Sequence, residues 1–257
     1  MRILRRLSLP MFVFCVYALL YLPIIVLIIF SFNDSSATYQ WGGFTLRWFG
    51  ELFHSSEIWL VLKHSLIVAF SAVALSLLFG LMIVCSLKER LNRIASWFYI
   101  PLLVPEIVLA VGFLYLFSFL RVPLGLTTLI VAHTLLGLAF SVPLLHARFV
   151  EMNPDVIEAS LDLGASKWQT FIRVVLPFLQ PAVFSVALLV WMTSFDDFLI
   201  SFFCTGSASQ TLPLYIYARV HAGITPVINA LSTFTLLVSF LLVIVYSWLR
   251  VKLEEVV

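Results

Sequence analysis

The chain has 257 residues, 62% of them hydrophobic and 11% charged, with a formal net charge of +2 and a mean hydropathy of +1.10. That balance excludes a soluble globular surface, for which about a quarter of the residues would be charged. It also lacks any basic cluster fit for nucleic acid, so the chain belongs in a lipid bilayer.

Residues 9–32, 64–87, 122–147 and 220–249 contain no Asp, Glu, Lys or Arg, and each exceeds the roughly 20 residues that cross a bilayer as a helix. Two further runs, 95–120 and 179–204, are as apolar except for Glu106 in the first and Asp196 with Asp197 in the second. The expectation is an all-α polytopic membrane protein: one domain over residues 1–257 with six transmembrane helices at 9–32, 62–87, 95–120, 124–147, 179–204 and 229–249. The first run follows Arg2, Arg5 and Arg6 as in a signal peptide, but it far exceeds the about 7–15 apolar residues of such a segment and reads as a retained anchor. With the N-terminus inside, the inner segments hold Arg2, Arg5, Arg6, Lys88, Arg90, Arg93, Arg148, Lys167, Arg173, Arg250 and Lys252, eleven of the 15 Lys and Arg. The outer segments keep Arg47, Lys63, Arg121 and Arg219, so both termini are expected in the cytoplasm.

The outer loop at 33–59 contains WGGFTLRWFGELF, whose Trp and Phe density suits either a short segment at the headgroup level or ordinary packing. The loops at 88–94 and 121–125 are short, so spans two, three and four are expected as antiparallel neighbours. In span three, Pro101 and Pro105 predict a kinked or unwound helix beside Glu106.

Spans four and five are joined by residues 148–178, where most of the polar sequence lies. Asn153, Pro154 and Asp155 read as N-cap, first helical residue and first-turn acid of a helix over 154–163, with Gly164 as its stop. Ser166 and Gln169 form a capping box for a second helix running through Trp168, Phe171, Ile172 and Val175 toward Pro177. Val156, Ala159, Ser160 and Leu163 make a stripe with a small centre, which serves either a closely docked partner or the protein's own bundle.

Each Asp near the centre of a membrane helix costs about 2.5–3.5 kcal/mol, while the Val, Leu, Ile and Phe around the pair contribute about 0.3–0.6 kcal/mol apiece. Span five is close to break-even alone, so it depends on neighbouring helices or on water beside its carboxylates. In a continuous helix the two acids point about 100° apart. Asp197 then shares a stripe with Thr193, Ser194 and Ser201, and Asp196 lies nearer Met192 and Ile200. One acid lines a pathway while the other makes an interhelical hydrogen bond, and the sequence leaves open which. Trp191, Phe195 and Phe198 either hold ammonium groups by cation–π contact or simply pack.

After span five a polar turn leads to a short stretch with Leu214, Tyr217 and Ala218, expected as an interfacial helix. Cys15, Cys85 and Cys204 have neither disulfide nor zinc spacing, and the five His form no ligand set, so no metal or redox role follows.

Glu158, Ala159, Ser160, then Gly164, then Val174, Leu176 and Pro177 resemble the EAA motif of ABC importer permeases, with Ser160 in place of the second Ala and Val174 in place of Ile. The resemblance implies the MetI-like permease fold, with this loop seated as a coupling helix in an ABC ATPase subunit. A Gly-Lys pair, and so a P-loop, is absent. No cofactor is therefore expected in this chain, ATP and Mg belonging to the partner ATPase dimer. The whole chain is similar to the PotC-type permease subunits of spermidine/putrescine importers through Ser31–Asn33, WGGFTLRW, Pro105–Val108, Asp196 with Asp197, TLPLYIY, and Pro226, Asn229 and Ala230. It departs in having Glu106 where that family usually has Asp. This second resemblance implies polyamine uptake across the bacterial inner membrane, a PotB-type second permease and an extracytoplasmic substrate-binding protein. Glu106, Asp196 and Asp197, with Trp191 and Phe195, are the candidate substrate path.

Competing readings are an ABC permease for another small solute, an ion-coupled carrier or channel, and an intramembrane aspartyl hydrolase. Three acids and no Lys or Arg in the spans disfavour an anionic cargo, a carrier does not need the spaced coupling loop, and the hydrolase needs its aspartates on different helices.

Overall fold

A computed structural model describes residues 2–35, 40–87, 95–223 and 225–254. The 88–94 loop, with Lys88, Arg90 and Arg93, lies outside the described residues. Among the described residues the regular structure is helical, apart from one antiparallel bridge between Asn33 and Phe44.

The helices are α1 (Arg2–Ser31), α2 (Arg47–His54), α3 (Ser56–Leu87), α4 (Ile100–Leu103) after a 3-10 turn at Ala95–Tyr99, and α5 (Glu106–Phe119). Then come α6 (Leu126–Val150), α7 (Pro154–Asp162), α8 (Lys167–Thr170), a π-helical turn (Phe171–Val175) and α9 (Leu176–Phe195). The chain ends with α10 (Leu199–Cys204), α11 (Leu212–Ala222) and α12 (Pro226–Glu254).

By length and composition, four of the described helical segments can cross a membrane: Pro10–Ser31, Ser56–Leu87, Leu126–Val150 and Lys167–Phe195. A fifth follows if Trp97–Leu103 and Glu106–Phe119, bent by 110°, count as one span, while Pro226–Leu241 is a shorter apolar helix. The short helix expected after span five is present as α11.

The chain divides into two compact units, Met1–Trp59 with Ile216–Val257 and Leu60–Tyr215. In the first, α12 packs against α1 and α2. Asn33 organises the outer loop: its Oδ1 accepts from Gly42 N at 2.7 Å and Ser35 N at 3.3 Å, and its Nδ2 donates to Gln40 O at 2.7 Å. The Trp48 indole donates to Asn33 O at 2.7 Å, which anchors α2 beneath the loop with Trp48 and Leu52 buried. Packing therefore accounts for Trp48, while Trp41 stays exposed, and Arg47 stacks over the Trp48 ring at 4.1 Å.

In the second unit, small residues bring helices together. A Cβ on Gly137 would collide with Ser76 Oγ and stand 3.0 Å from Val190 Cγ1, so side chains of α3 and α9 pack directly onto the α6 backbone there. Ser76 Oγ donates to Thr134 O at 3.1 Å across the same contact. Lipid tails are as apolar as a protein core, so close packing and interhelical hydrogen bonds of this kind hold membrane helices together. Two apolar clusters flank the contact, one with Ala72, Val142 and Val190, the other with Ala110, Leu129, Ile200 and Cys204.

Gly112 by contrast has no neighbour within 4 Å of a built Cβ. Gly137→Ala is expected to destabilise the purified protein by about 1–3 kcal/mol through overpacking, whereas Gly112→Ala gains up to about 1 kcal/mol of helix propensity. Thermal unfolding in detergent compares the two, and a Gly137→Ala variant as stable as its parent would refute the close approach.

Candidate functional site

Proline chemistry sets the first half of the site. The residue before a proline is driven out of the helical region, and Val104 stands at φ −82°, ψ 135°, with Pro105 extended at φ −54°, ψ 132°. The helix restarts at Glu106, which places that acid in the first turn of α5, where the helix dipole favours negative charge. The kink expected beside Glu106 is thus a complete break.

The second half differs from the continuous helix expected over 179–204. Helix α9 stops at Phe195, Asp196 turns at φ −93°, ψ 0°, and α10 starts at Leu199. Asp197 accounts for the break: its Oδ1 accepts from Ile200 N at 3.2 Å and its Oδ2 from Ser201 N at 2.7 Å. A new helix start exposes N–H groups that hydrocarbon cannot satisfy, and the carboxylate satisfies two of them. The 100° separation of a continuous helix therefore does not apply. The acids are separated by burial instead, Asp197 being 5% exposed while Asp196 faces outward.

The two breaks meet. Helix α5 packs against α10, which brings the Glu106 and Asp197 carboxyl groups close enough to interact electrostatically. Trp191 and Phe195 stack with ring centroids 5.7 Å apart, and Trp191 packs 4.4 Å from Phe70.

His133, assigned no role from sequence, completes the site from α6. Its Nε2 lies 3.4 Å from Asp197 Oδ2, with both side chains 1% exposed. Its Nδ1 lies 2.8 Å from Ser194 Oγ on α9. The available signal was an ionisable residue inside the 122–147 apolar run, which in a bilayer is a functional candidate by default.

The 148–178 segment forms as its caps dictate. Asn153 Oδ1 accepts from Asp155 N at 3.0 Å, and α7 ends in a Schellman turn, Gly164 N donating to Leu161 O and Ala165 N to Ser160 O. Gly164 sits at φ +88°, a conformation L side chains rarely adopt. The capping box closes in both directions, Ser166 N to Gln169 Oε1 at 2.8 Å and Gln169 N to Ser166 Oγ at 3.2 Å. Ser160, the departure from the motif, places its Oγ 3.0 Å from Thr170 Oγ1 and so ties the two helices together.

Ile157 turns inward with Phe171 toward Met152, Val175 and Leu179. Glu158, Ala159, Val156 at 48% and Leu163 at 89% stay exposed, so the stripe does not lie on its own bundle. Half-buried Leu176 and exposed Pro177 open α9, and the π-helical turn precedes the proline, which lacks an N–H.

The family model for the binding-protein-dependent transport system inner membrane component matches residues 72–255. The chain is 35% identical over 237 residues to the spermidine/putrescine transport system permease protein PotC of Escherichia coli (strain K12), covering 91% of this chain and 90% of that protein. It is 30% identical over 231 residues to the putrescine transport system permease protein PotI of the same strain, covering 86% and 82%. Among solved structures it is similar to a chain of a bacterial ABC transporter involved in import of the acidic polysaccharide alginate, with a TM-score of 0.72, 16% identity and 96% of each chain covered. That last likeness bears on the fold alone.

Asp197→Ala removes the acceptor for two buried backbone donors and is expected to lose about 1–3 kcal/mol of stability. Asp196→Asn, at an exposed position, is expected to stay within about 0.5 kcal/mol of the parent. Unfolding of both variants in one detergent checks the assignment, which fails if Asp196→Asn proves the more damaging.

Proposed function

The chain belongs to the binding-protein-dependent transport system inner membrane component family, and on that premise we propose that it is the permease subunit of an ATP-driven importer that carries polyamines, spermidine and putrescine, into the cytoplasm. The observation that carries the cargo class is the meeting of two helix breaks at the Glu106 and Asp197 carboxyls, with Asp196 exposed beside them. A polyamine is a flexible chain of ammonium groups, and successive carboxylates offer each group a transient partner. Binding at any one acid must stay weak enough for release. The faces of Trp191 and Phe195 add cation–π attraction along the same stretch. Glu106 reaches one methylene further than the Asp usual at this position, which adjusts how deeply the first ammonium enters.

The reading includes six membrane spans in one permease domain, the third being the bent segment and the sixth the apolar start of α12, with both termini cytoplasmic. The exposed face of α7, from Glu158 and Ala159 to Leu163, is the surface for the ATPase dimer, which holds the ATP and Mg. Gly164, Ser160, Leu176 and Pro177 keep that lever stiff where it passes into α9. A PotB-type second permease and an extracytoplasmic binding protein complete the importer, through which cargo passes by alternating access.

Reconstituted with its partners, the importer is expected to lose about tenfold or more of its spermidine uptake on Glu106→Gln or Asp196→Asn, the effect of one lost charge-assisted contact. Uptake equal to the parent in both variants, or uptake that continues without ATP, removes the proposal. Gly164→Ala forces a side chain into the left-handed region at about 1–2 kcal/mol. It is expected to lower uptake and loosen the ATPase while leaving the amount of permease in the membrane unchanged, and unaltered transport would count against the lever.

A further inference from the structure

We infer that His133 is a positioning residue for the acid pair, holding Asp197, and through it Glu106, in the orientation that receives a cargo ammonium; this rests on the importer reading above. The case begins with Asp197. Its Oδ1 takes Ile200 N and its Oδ2 takes Ser201 N, so the carboxylate is fixed to the start of α10 by one edge. Its other contacts come from His133 on α6 and Glu106 on α5. His133 is thus the side chain that ties the acid pair to α6, a helix that shares no backbone with either break.

A buried imidazole in a membrane helix is an expensive way to fill space, since its polar nitrogens must be satisfied where Leu would need nothing. Here the surroundings select one tautomer. Ser194 Oγ lies 2.8 Å from Nδ1, and a hydroxyl that donates to Nδ1 leaves the proton on Nε2, which faces Asp197 Oδ2 at 3.4 Å. Nε2 has no aligned hydrogen-bond acceptor in this pose. An N–H···O bond forms at about 2.7–3.2 Å, so a shift of a few tenths of an ångström between α6 and the α9–α10 break makes or releases it. Helix α9 continues from α8 as one segment, Lys167–Phe195, so Ser194 sits at the far end of a rod that begins beside the Ser166–Gln169 box, and Asp197 follows just past the break that ends it.

The test is the concentration dependence of spermidine uptake into proteoliposomes that hold the complete importer. If the unmodified protein shows no saturable, ATP-dependent uptake, the importer reading fails, and the inference with it. If it does, His133→Leu is expected to raise KM about tenfold with Vmax changed by less than about twofold, the loss of one charge-assisted hydrogen bond in the loaded site.

His133→Gln, whose amide nitrogen reaches the place of Nε2, is expected to restore KM to within about threefold of the parent, whereas His133→Asn, whose amide reaches only the place of Nδ1, does not. Ser194→Ala raises KM by a smaller factor and adds nothing to His133→Leu, as expected of two residues acting through one contact. Parental KM in His133→Leu, or rescue by Asn as good as by Gln, overturns the inference. Where His133→Leu fails to reach the membrane, the Gln and Asn pair alone decides.

Discussion

A backbone broken inside a bilayer has no water to bind its freed amides, and the Asp197 carboxylate answers that constraint. It takes the N–H groups of Ile200 and Ser201 and so permits the chain to stop at Phe195 and begin again at Leu199. The neighbouring break at Val104–Pro105 has a different cause, the missing proline donor, and it delivers Glu106 to the same place. One acid is therefore held by structure and supports the other. Asp196, between the two helix ends and exposed, is left free of that duty.

The acid-bearing break also lies at the end of a long helical segment. A continuous helix transmits force along its axis, and Lys167–Phe195 is one such segment from the coupling region to the acid-bearing break. At its inner end, the Schellman turn at Gly164, the Ser166–Gln169 box and the Ser160–Thr170 contact fix the angle between α7 and the rod. Arg148 stacks over the Phe178 ring at 4.3 Å and adds a brace between α6 and α9. Small residues at Ser76, Gly137 and Ser141 let α3, α6 and α9 pack closely between the two regions. Close packing of this kind has discrete arrangements rather than a continuum, which suits a protein that must alternate between two states.

The coupling segment was the most legible part of the chain because caps and stops are local. Asn153, Gly164, Ser166 and Gln169 act within a few residues of themselves, and each does what its spacing predicts. The break at Pro105 was legible for the same reason. The break at Asp196–Phe198 was not: the run from Val183 to Phe203 carries no charge except for the pair, and hydropathy cannot distinguish a helix that carries a carboxylate from one that ends at it. His133 was out of reach for another reason. Its partners Ser194 and Asp197 lie 61 and 64 residues away in sequence, and only the packing of α6 against α9 and α10 brings the three together. Isolated histidines without ligand spacing read as packing residues, and that reading passed over the imidazole that faces Asp197.

The central claim is that a cationic cargo meets the carboxylates gathered at two helix breaks. A map of the complete importer trapped with spermidine tests it directly. The account requires an ammonium within about 3 Å of a Glu106 or Asp196 carboxylate oxygen, with Asp197 still bound to the amides of Ile200 and Ser201. Spermidine lodged elsewhere along the permease, with Glu106 and Asp196 both remote from every ammonium, would contradict it.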